Sequence, residues 1–196
     1  MKHDKAEKIY TLKMRSRNFI PFPDLKTERL ILRQLTSSDD KEIFALRSDD
    51  NVNKYLDREP SKSIDDARKF IQTINENIQK NNSVYWAIIL NGTDKLIGTI
   101  CLFGFSNDNL KVEIGYELLP GFQGQGIMKE AVAKVIDYAF NTLKVQKIEA
   151  FFDRNNQGSI KLLEKFSFWD SNEPDKVNPD LVCYHLTNSI VAATTF

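Results

Sequence analysis

The sequence predicts an α/β fold in which a mixed, mostly antiparallel sheet of about six or seven strands is flanked by helices on both faces. Two observations support this prediction. Apolar strand patterns first follow one another through short turns and later alternate with helical patterns, and a glycine-rich segment joins one strand directly to a long amphipathic helix. Strands joined by short turns pair antiparallel, whereas strands joined through helices can lie parallel.

The elements follow one another in an order that fits this architecture. The strand patterns cover residues 30–33, 86–90, 95–105, 112–119, 147–153 and 182–188. Two helices are predicted to follow capping segments: one begins at 37–40 and runs through Arg47, and the other begins at 63–66 and runs to about Lys80. Two more are predicted, one directly after the glycine-rich segment and one over 156–166. Residues 170–179 are predicted to form a polar loop.

Composition and charge fit one domain. The chain has 196 residues, of which 41% are hydrophobic and 28% charged, which is enough for a sizeable core. Residues 1–20 are locally basic and are interpreted as a solvated lead-in, with residues 21–196 as the domain. Lys plus Arg equals Asp plus Glu at 27 each, so no global field attracts nucleic acid or an anionic membrane. Because no apolar run approaches the roughly 20 residues that span a bilayer, a cytoplasmic protein is expected.

Cysteine and histidine give little material for metal or nucleophile chemistry. Cys101 and Cys183 lie in apolar strand patterns, which favours unpaired, buried thiols. His3 and His185 are the only histidines, too few for a His-based metal site or triad. His185 is interpreted as a structural residue or as part of a substrate pocket.

The segment 121–126, Gly-Phe-Gln-Gly-Gln-Gly, joins a strand pattern to a helix whose apolar positions begin at Ile127. The first N–H groups of a helix lack intrahelical partners, and the helix dipole adds partial positive charge there. Glycine lets a ligand approach the backbone without interference from a Cβ. This arrangement predicts a pyrophosphate site, with an ordinary turn before a helix as the alternative.

The spacing of the glycines argues against two common phosphate loops. Gly121 and Gly126 have the separation of a P-loop, but Ile127 and Met128 stand where that loop requires Lys and then Ser or Thr. A dinucleotide fingerprint needs a third glycine, and Lys129 follows instead.

Three segments resemble the GNAT N-acetyltransferases, and in particular the branch of ribosomal-protein N-terminal acetyltransferases. Residues 22–33, Phe-Pro-Asp-Leu-Lys-Thr-Glu-Arg-Leu-Ile-Leu-Arg, are similar to the opening strand of that branch. Residues 123–128, Gln-Gly-Gln-Gly-Ile-Met, are similar to its Q/R-x-x-G-x-G/A acyl-CoA loop. Residues 156–168 are similar to its N-x-x-S-x-x-x-L-E-K-x-G-F segment, with Ser167 in place of the glycine, so the turn after this helix is expected to differ.

The resemblance implies a GNAT-like fold that uses acetyl-CoA as co-substrate and no metal. The co-substrate would enter where strand 112–119 splays away from strand 147–153, and its pantetheine arm would follow the first of these. Backbone N–H groups near 116–118 would polarise the thioester carbonyl. The residues implied in acetyl-CoA binding are Leu118, Leu119, Gln123, Gly124, Gln125, Gly126, Ile127, Met128, Lys129 and Asn156.

Amine acetylation needs a base for the substrate ammonium and an acid or another stabiliser for the leaving thiolate. Glu113 is the candidate base because it lies in an apolar strand and matches a position that often bears Glu in this branch. Burial there would raise the pKa of Glu113 toward a useful value. Glu117 lies on the same strand face and could serve instead, and a solvated carboxylate at an edge is the structural alternative.

Ser159 is the second candidate catalytic residue, as the resemblance implies. Many GNAT enzymes carry a tyrosine acid where this chain has Leu163, so that route is closed here. Asn156 would bond the pantetheine amide or an ordered water. Ordinary helix capping by Asn156 and Ser159 fits the same pattern.

The leading hypothesis is direct acetyl transfer, in a ternary complex, to a primary amine: a protein N-terminal α-amine or a small molecule. Tyr55 and Glu117 are the candidate acceptor-binding residues; nucleic acid and membranes are not expected partners, and the protein is expected to be a monomer or homodimer. Two alternatives stay open. The missing tyrosine and Met128 would fit a non-catalytic acyl-CoA-binding regulatory module, and the turn geometry would fit another nucleotide binder.

Overall fold

The computed structural model describes residues 17–174, 178 and 180–188, and these residues form a sheet with the strand order β1-β2-β3-β4-β5-β6-β8-β7. The strands are β1 (Leu25–Lys26), β2 (Leu30–Gln34), β3 (Val84–Leu90), β4 (Leu96–Phe103), β5 (Lys111–Leu118), β6 (Lys147–Asp153), β7 (Trp169–Pro174) and β8 (Leu181–Thr187). Neighbouring strands pair antiparallel except β5 and β6, which pair parallel. The predicted mixed sheet is confirmed, with eight strands in place of six or seven.

Helices cover both faces of the sheet, as predicted. They are α1 (Asp40–Ser48), α2 (Asp50–Asn53), α3 (Ile64–Gln79), α4 (Ile127–Asp137), which continues as a π-helical turn over Tyr138–Thr142, and α5 (Gln157–Glu164). Successive side chains of a strand point to opposite faces. On β3, the Tyr85 ring contacts Phe70 of α3, with centroids 5.7 Å apart. The neighbouring Trp86 ring contacts Tyr138, after α4, at 5.5 Å.

Helix α3 begins where its sequence predicts. Ser63 accepts a hydrogen bond from the Asp66 N–H at 3.2 Å, and the Asp66 carboxylate accepts one from the Ser63 N–H at 3.0 Å. This reciprocal pair satisfies two N–H groups that the helix leaves without partners. Ala67, Ile71 and Ile78 are buried, because their spacing puts them on the face turned to the sheet.

Strands β5 and β6 pair over three residues and then separate. The paired positions are Lys111 with Lys147, Val112 with Ile148 and Glu113 with Glu149. Beyond Glu113, β5 continues to Leu118 with no strand of the described residues paired on this side, while its other edge stays paired with β4. The splay expected from the resemblance is therefore present, and it starts at the candidate base.

The predicted polar loop over 170–179 is partly wrong. Trp169–Pro174 form strand β7, which pairs with β8 at the edge of the sheet. The polar composition reflects a strand that has a neighbour on one side only, and edge strands tolerate polar residues and proline. Strand β1 and helix α2 are too short to give a periodic pattern and were not predicted.

The turn after α5 keeps its left-handed conformation although it lacks glycine. Ser167 has φ +61°. Its N–H donates to the Glu164 carbonyl at 3.0 Å and the Phe168 N–H donates to the Leu163 carbonyl at 3.2 Å, which closes a Schellman motif. The expectation of a different turn was wrong, because buried Phe168 and the two hydrogen bonds hold serine in this conformation.

Most of the basic lead-in, residues 1–16, lies outside the described residues. The part that the structure describes is packed against the domain. Phe19 is fully buried. Its N–H donates to the Asn81 side chain at 2.8 Å, and Arg17 Nε donates to the Asn81 carbonyl at 2.7 Å. The packed part of the chain therefore begins a few residues before residue 21.

Candidate active site at the splayed strands

The loop before α4 presents free backbone at a helix N-terminus. Gly124 and Gly126 have φ +73° and +76°, in the left-handed region that favours glycine. Gly126 is the N-cap of α4 and has no side chain to bond the first N–H groups of the helix. A Cβ added at Gly121 or Gly124 would meet no atom within 4 Å. The loop therefore offers open space beside a partial positive charge, which fits a pyrophosphate.

The glutamines of the loop bond its own carbonyl groups. Gln123 Nε2 donates to the Leu118 carbonyl at 2.9 Å, and Gln125 Nε2 donates to the Gly121 carbonyl at 2.8 Å. These side chains occupy acceptors within the loop and so fix its shape. The role that the structure supports for both glutamines is to hold the backbone around the expected phosphate position.

An ion pair behind the loop anchors it to the start of the sheet. Arg29 Nε lies 2.6 Å from Glu130 Oε2, and Arg29 Nη1 donates to the Gln125 carbonyl at 3.1 Å. Glu130 also accepts hydrogen bonds from Thr27 Oγ1 at 2.5 Å and from the Arg29 N–H at 2.8 Å. Sequence reasoning missed this anchor, because its residues are about 100 positions apart and no local pattern connects them.

Met128 departs from the small residue of the resembling loop without closing it. Its side chain is buried in the core together with Ile127, whereas Lys129 is exposed. Leu118, at the end of β5, is also buried, and Leu119 packs against the core. Of the residues implied in acetyl-CoA binding, these four apolar residues offer backbone to a ligand, since their side chains point inward.

A cavity of about 270 Å³ lies over β4 and β5 and reaches the splay. It brings together Glu113 and Glu117, as the strand alternation predicted. It is lined by Arg47, Leu56, Phe70, Tyr85, Thr99, Cys101, Phe103, Glu113, Ile114, Gly115, Tyr116, Glu117 and Phe151. Tyr55 is not among the lining residues; Lys54 lies over its ring, and the next residue, Leu56, lines the cavity instead.

Glu113 lies at the point where β5 leaves β6, opposite Phe103 of β4. A Cβ at Gly104 would lie 2.6 Å from Glu113 Oε1, and Gly104 has φ +59°. The Glu113 carboxylate therefore packs against Gly104, where any side chain would collide with it. Position and packing together place a half-buried carboxylate at the junction of the cavity and the splay.

Glu117 is bound to an arginine that the sequence did not single out. Arg58 Nη1 lies 2.5 Å from Glu117 Oε1, and Arg58 Nη2 donates to Oε2 at 2.9 Å. Arg58 Nε donates to the Asn53 side chain at 2.8 Å, and Asn53 in turn donates to the carbonyl groups of Arg47 and Asp49. Both carboxylate oxygens of Glu117 are thus engaged.

Tyr116 and Ser159 form a hydroxyl pair beside the splay. Burial raises the pKa of Tyr116 to about 12, and a hydrogen bond with the Ser159 side chain opposes that rise. The Ser159 N–H donates to Asn156 Oδ1 at 3.1 Å, so Asn156 is the N-cap of α5. The capping interpretation of Asn156 is therefore correct, and the Ser159 side chain lies near enough to Tyr116 to affect the pKa of its hydroxyl. Leu163 is fully buried in the core.

The cysteines do not offer a nucleophile. Both are free thiols. Burial raises the pKa of Cys101 to about 12, and the nearby Glu117 charge adds to that rise. Burial also raises the pKa of Cys183. His185 is buried against Trp169, with ring centroids 3.6 Å apart, and is not among the residues that line the cavity.

Within the part of the chain that the structure describes, no group of three or more His, Cys, Asp or Glu side chains could hold a metal ion. In the same residues, no helix is long and apolar enough to cross a membrane.

Comparison with known proteins identifies the family. Residues 29–168 match the acetyltransferase (GNAT) domain. The chain is 38% identical over 147 residues to the uncharacterized N-acetyltransferase YoaA of Bacillus subtilis (strain 168), a match that covers 75% of this chain and 83% of the relative.

Two solved structures share the fold at lower identity. A ribosomal-protein-S5-alanine acetyltransferase from Vibrio fischeri is 23% identical, covers 85% of this chain and 97% of its own, and has a TM-score of 0.69. A spermidine N-acetyltransferase from Vibrio cholerae, in complex with CoA and spermine, is 22% identical, with coverage of 83% and 98% and a TM-score of 0.71.

The fold, the glycine loop before α4 and the separation of β5 from β6 together are typical of an acyltransferase. The chain belongs to the GNAT family and is an acetyl-CoA-dependent N-acetyltransferase.

Proposed function

We propose that the acceptor is a primary amine that binds in the 270 Å³ cavity and attacks acetyl-CoA directly, without a covalent enzyme intermediate. The observation that carries this proposal is the position of Glu113, which lies both in the cavity and at the start of the splay. An acceptor amine in the cavity and a thioester in the splay would meet at this carboxylate. The raised pKa of Cys101 argues against an acyl-cysteine route, because the thiol stays protonated and so is a poor nucleophile.

Glu113 is the proposed base. The substrate ammonium gives one proton to the Glu113 carboxylate, and the amine nitrogen then forms a bond with the acetyl carbon as the carbon–sulfur bond breaks. The nitrogen gives up its second proton to replace the one that the leaving thiolate takes. Glu117 is a weaker candidate, because accepting a proton would cost it the charge-assisted bonds to Arg58. Glu117 is better suited to hold the cavity wall, through Arg58, against the segment that carries Asn53.

The Tyr116–Ser159 pair is the proposed proton source for the leaving thiolate. The Tyr116 hydroxyl is protonated at neutral pH, as an ordinary tyrosine is. The Ser159 hydrogen bond lowers the pKa that burial raises and so favours release of that proton to the thiolate. Ser159 acts in this way while Asn156 caps its helix, so the two interpretations of this segment are compatible. The backbone N–H groups at the start of α4 would hold the pyrophosphate.

Turnover with a panel of amines tests this proposal. We expect free-thiol release from acetyl-CoA with at least one primary amine, a product heavier by one acetyl group, and initial-rate lines that intersect when both substrates are varied. Parallel lines would indicate an acetyl-enzyme and contradict direct attack. Binding of CoA without thiol release on any amine would instead support a regulatory module.

A further inference from the structure

Arg47, in the last turn of α1, lines two neighbouring cavities. One is the proposed acceptor cavity. The other, also about 270 Å³, is lined by Arg47, Glu59, Pro60, Ser61, Lys62, Asp66 and Phe70. The side chains of Arg47 and Phe70 are common to both, so a ligand that binds in the first cavity can reach the guanidinium in its wall.

The Arg47 guanidinium is held without an acid partner. Its carbon lies 3.9 Å from the centre of the Phe70 ring, a cation–π contact that fixes the plane of the group. Nε is enclosed and finds no hydrogen-bond acceptor in the part of the chain that the structure describes. Among the residues that the structure describes, no carboxylate forms an ion pair with Arg47.

Two of the carboxylates near Arg47, Glu117 and Asp66, already have other partners. Glu117 is bound to Arg58 through both oxygens. Asp66 accepts hydrogen bonds from the N–H groups of Lys62 and Ser63, both at 3.0 Å. Among the described residues that line this cavity, Arg47 is the cation, and Glu113 and Glu117 are the carboxylates. Because Glu117 is paired with Arg58, the end of the cavity at Arg47 favours an anion, and the end at Glu113 favours a cation.

Keeping this arginine costs stability, which a ligand can offset. Burial lowers the pKa of Arg47 and the positive charge of Arg58 lowers it further, while the charge of Glu117 opposes both without reversing the shift. A half-buried cation without a partner carries a desolvation penalty that a hydrophobic residue of similar length would avoid. An oxyanion is the ligand that the planar guanidinium matches best, because two parallel N–H groups can bond two oxygens.

We propose that Arg47 binds an oxyanion of the acceptor, so that the acceptor is a small amine that also carries a carboxylate or phosphate group. This inference rests on the proposed function: the amine end would lie at Glu113, and the anionic end at Arg47 in the same cavity. A polyamine would place a second cation beside Arg47 and is disfavoured. Arg47 is then a specificity-determining residue, separate from the proton-transfer groups.

The test compares amines that differ only in the anionic group. The full chain is saturated with acetyl-CoA, and free-thiol release and thermal shift are measured with α- and ω-amino acids against their carboxamides, with O-phosphoethanolamine against ethanolamine, and with cadaverine. We expect the charged member of at least one pair to be preferred by roughly 10-fold or more in kcat/KM, from the size of charge-assisted hydrogen bonds. Preference for the amino acids indicates a carboxylate, and preference for O-phosphoethanolamine indicates a phosphate.

Variants assign the preference to this residue. Arg47→Gln should remove it by raising KM about 10- to 100-fold for the anionic amine, while kcat changes little. Lys69→Gln removes an exposed positive charge from the neighbouring helix and should leave the preference intact. An equal rate for the charged and neutral members, preference for cadaverine, or no binding of any of these amines to a protein that binds acetyl-CoA would overturn the inference. Failure to bind acetyl-CoA would count against the proposed function instead.

Discussion

Arg58 and Glu117 form a two-point ion pair, with Nη1–Oε1 and Nη2–Oε2 distances of 2.5 and 2.9 Å, and Glu117 lines the proposed acceptor cavity. Their side chains are 18% and 14% exposed, so the pair is shielded from solvent on most sides. Because the pair joins β5 to the segment between α2 and α3, it fixes the distance between the two walls of the cavity. A proton on Glu117 would weaken this pair, which is why Glu117 is not the proposed base.

Breaking this ion pair should destabilise the fold. Arg58→Met leaves the Glu117 carboxylate without its partner, and we expect the free energy of unfolding to fall by about 2 kcal/mol, from the size of hydrogen bonds to charged groups. Urea denaturation of Arg58→Met, Glu117→Gln and the double variant measures the coupling. The double variant should lose less than the sum of the two single losses. Strictly additive losses would show that the pair is not coupled.

Glu113→Gln should impair the chemical step more than binding. We expect kcat to fall ~100-fold or more with any amine that the wild-type protein acetylates, from typical general-base contributions. The thermal shift with acetyl-CoA should persist, because Glu113 lies away from the glycine loop. Glu117→Gln is the matched comparison and should cost less in kcat. A full rate in Glu113→Gln together with a collapsed rate in Glu117→Gln would reverse the assignment.

Glu130 should make acetyl-CoA binding sensitive to acid. Burial alone would raise its pKa, but hydrogen bonds from Thr27 and Arg29 outweigh it and hold the pKa of Glu130 below its ordinary value of 4.5. A carboxylate whose pKa is lowered by folding adds stability above its unfolded pKa and loses it as pH falls through the folded pKa. The stabilisation from this anchor is thus complete at neutral pH, begins to fall as the pH drops below 4.5, and is lost once the pH has passed the lower pKa that Glu130 has in the folded protein.

Glu130→Gln mimics that loss at neutral pH. We expect the Kd for acetyl-CoA to rise about 10-fold, from the loss of charge-assisted bonds to the loop anchor. Titration calorimetry at pH 7 measures it, and Lys134→Gln, on the same helix, is the control because its partner Asp137 lies at 3.8 Å on the surface. An unchanged Kd in Glu130→Gln would mean that the loop holds its shape without the anchor.

Ser167→Gly should stabilise the protein. Ser167 has φ +61°, a conformation that glycine adopts at little cost, and the Schellman hydrogen bonds use only backbone groups. We expect a gain of about 0.5–1 kcal/mol in the free energy of unfolding. Ser167→Ala keeps the Cβ and should give no gain. A loss in Ser167→Gly would indicate that the serine hydroxyl stabilises the turn.

The order of the main strands and helices could be predicted because each has its own periodic pattern. The glycine loop could also be predicted from the sequence. A phosphate site of this kind is formed by backbone N–H groups, and the glycines that leave this backbone open are visible in the sequence. The short strand β1 and the polar edge strand β7 could not be predicted, because neither has a periodic sequence pattern of its own. Each is held in the sheet by pairing with its neighbour, β1 with β2 and β7 with β8.

The missing parts of the site are all contacts between distant positions. Arg58 meets Glu117 across 59 residues, and Arg29 meets Glu130 across 101. Each of these residues alone resembles a solvated surface charge, and the tertiary fold determines its partner. Of Tyr116 and Ser159, the sequence singled out only the Ser159 side chain as a candidate catalytic group. For Tyr116 it indicated a role of the backbone N–H and none of the hydroxyl. A tyrosine on the part of β5 that is expected to separate from β6 is a sequence signal that could have pointed to the Tyr116 hydroxyl.

A thermal melt with acetyl-CoA, CoA, NAD and ATP in separate samples tests the central claim most directly. A ligand at about 100 times its Kd should add ~2.7 kcal/mol of stability. We predict a shift with acetyl-CoA and CoA alone, and its loss in Gly124→Val, whose added side chain would fill the open space of the loop. No shift with either CoA ligand, or the same shift in Gly124→Val, would contradict the assignment of the glycine loop as the acetyl-CoA site.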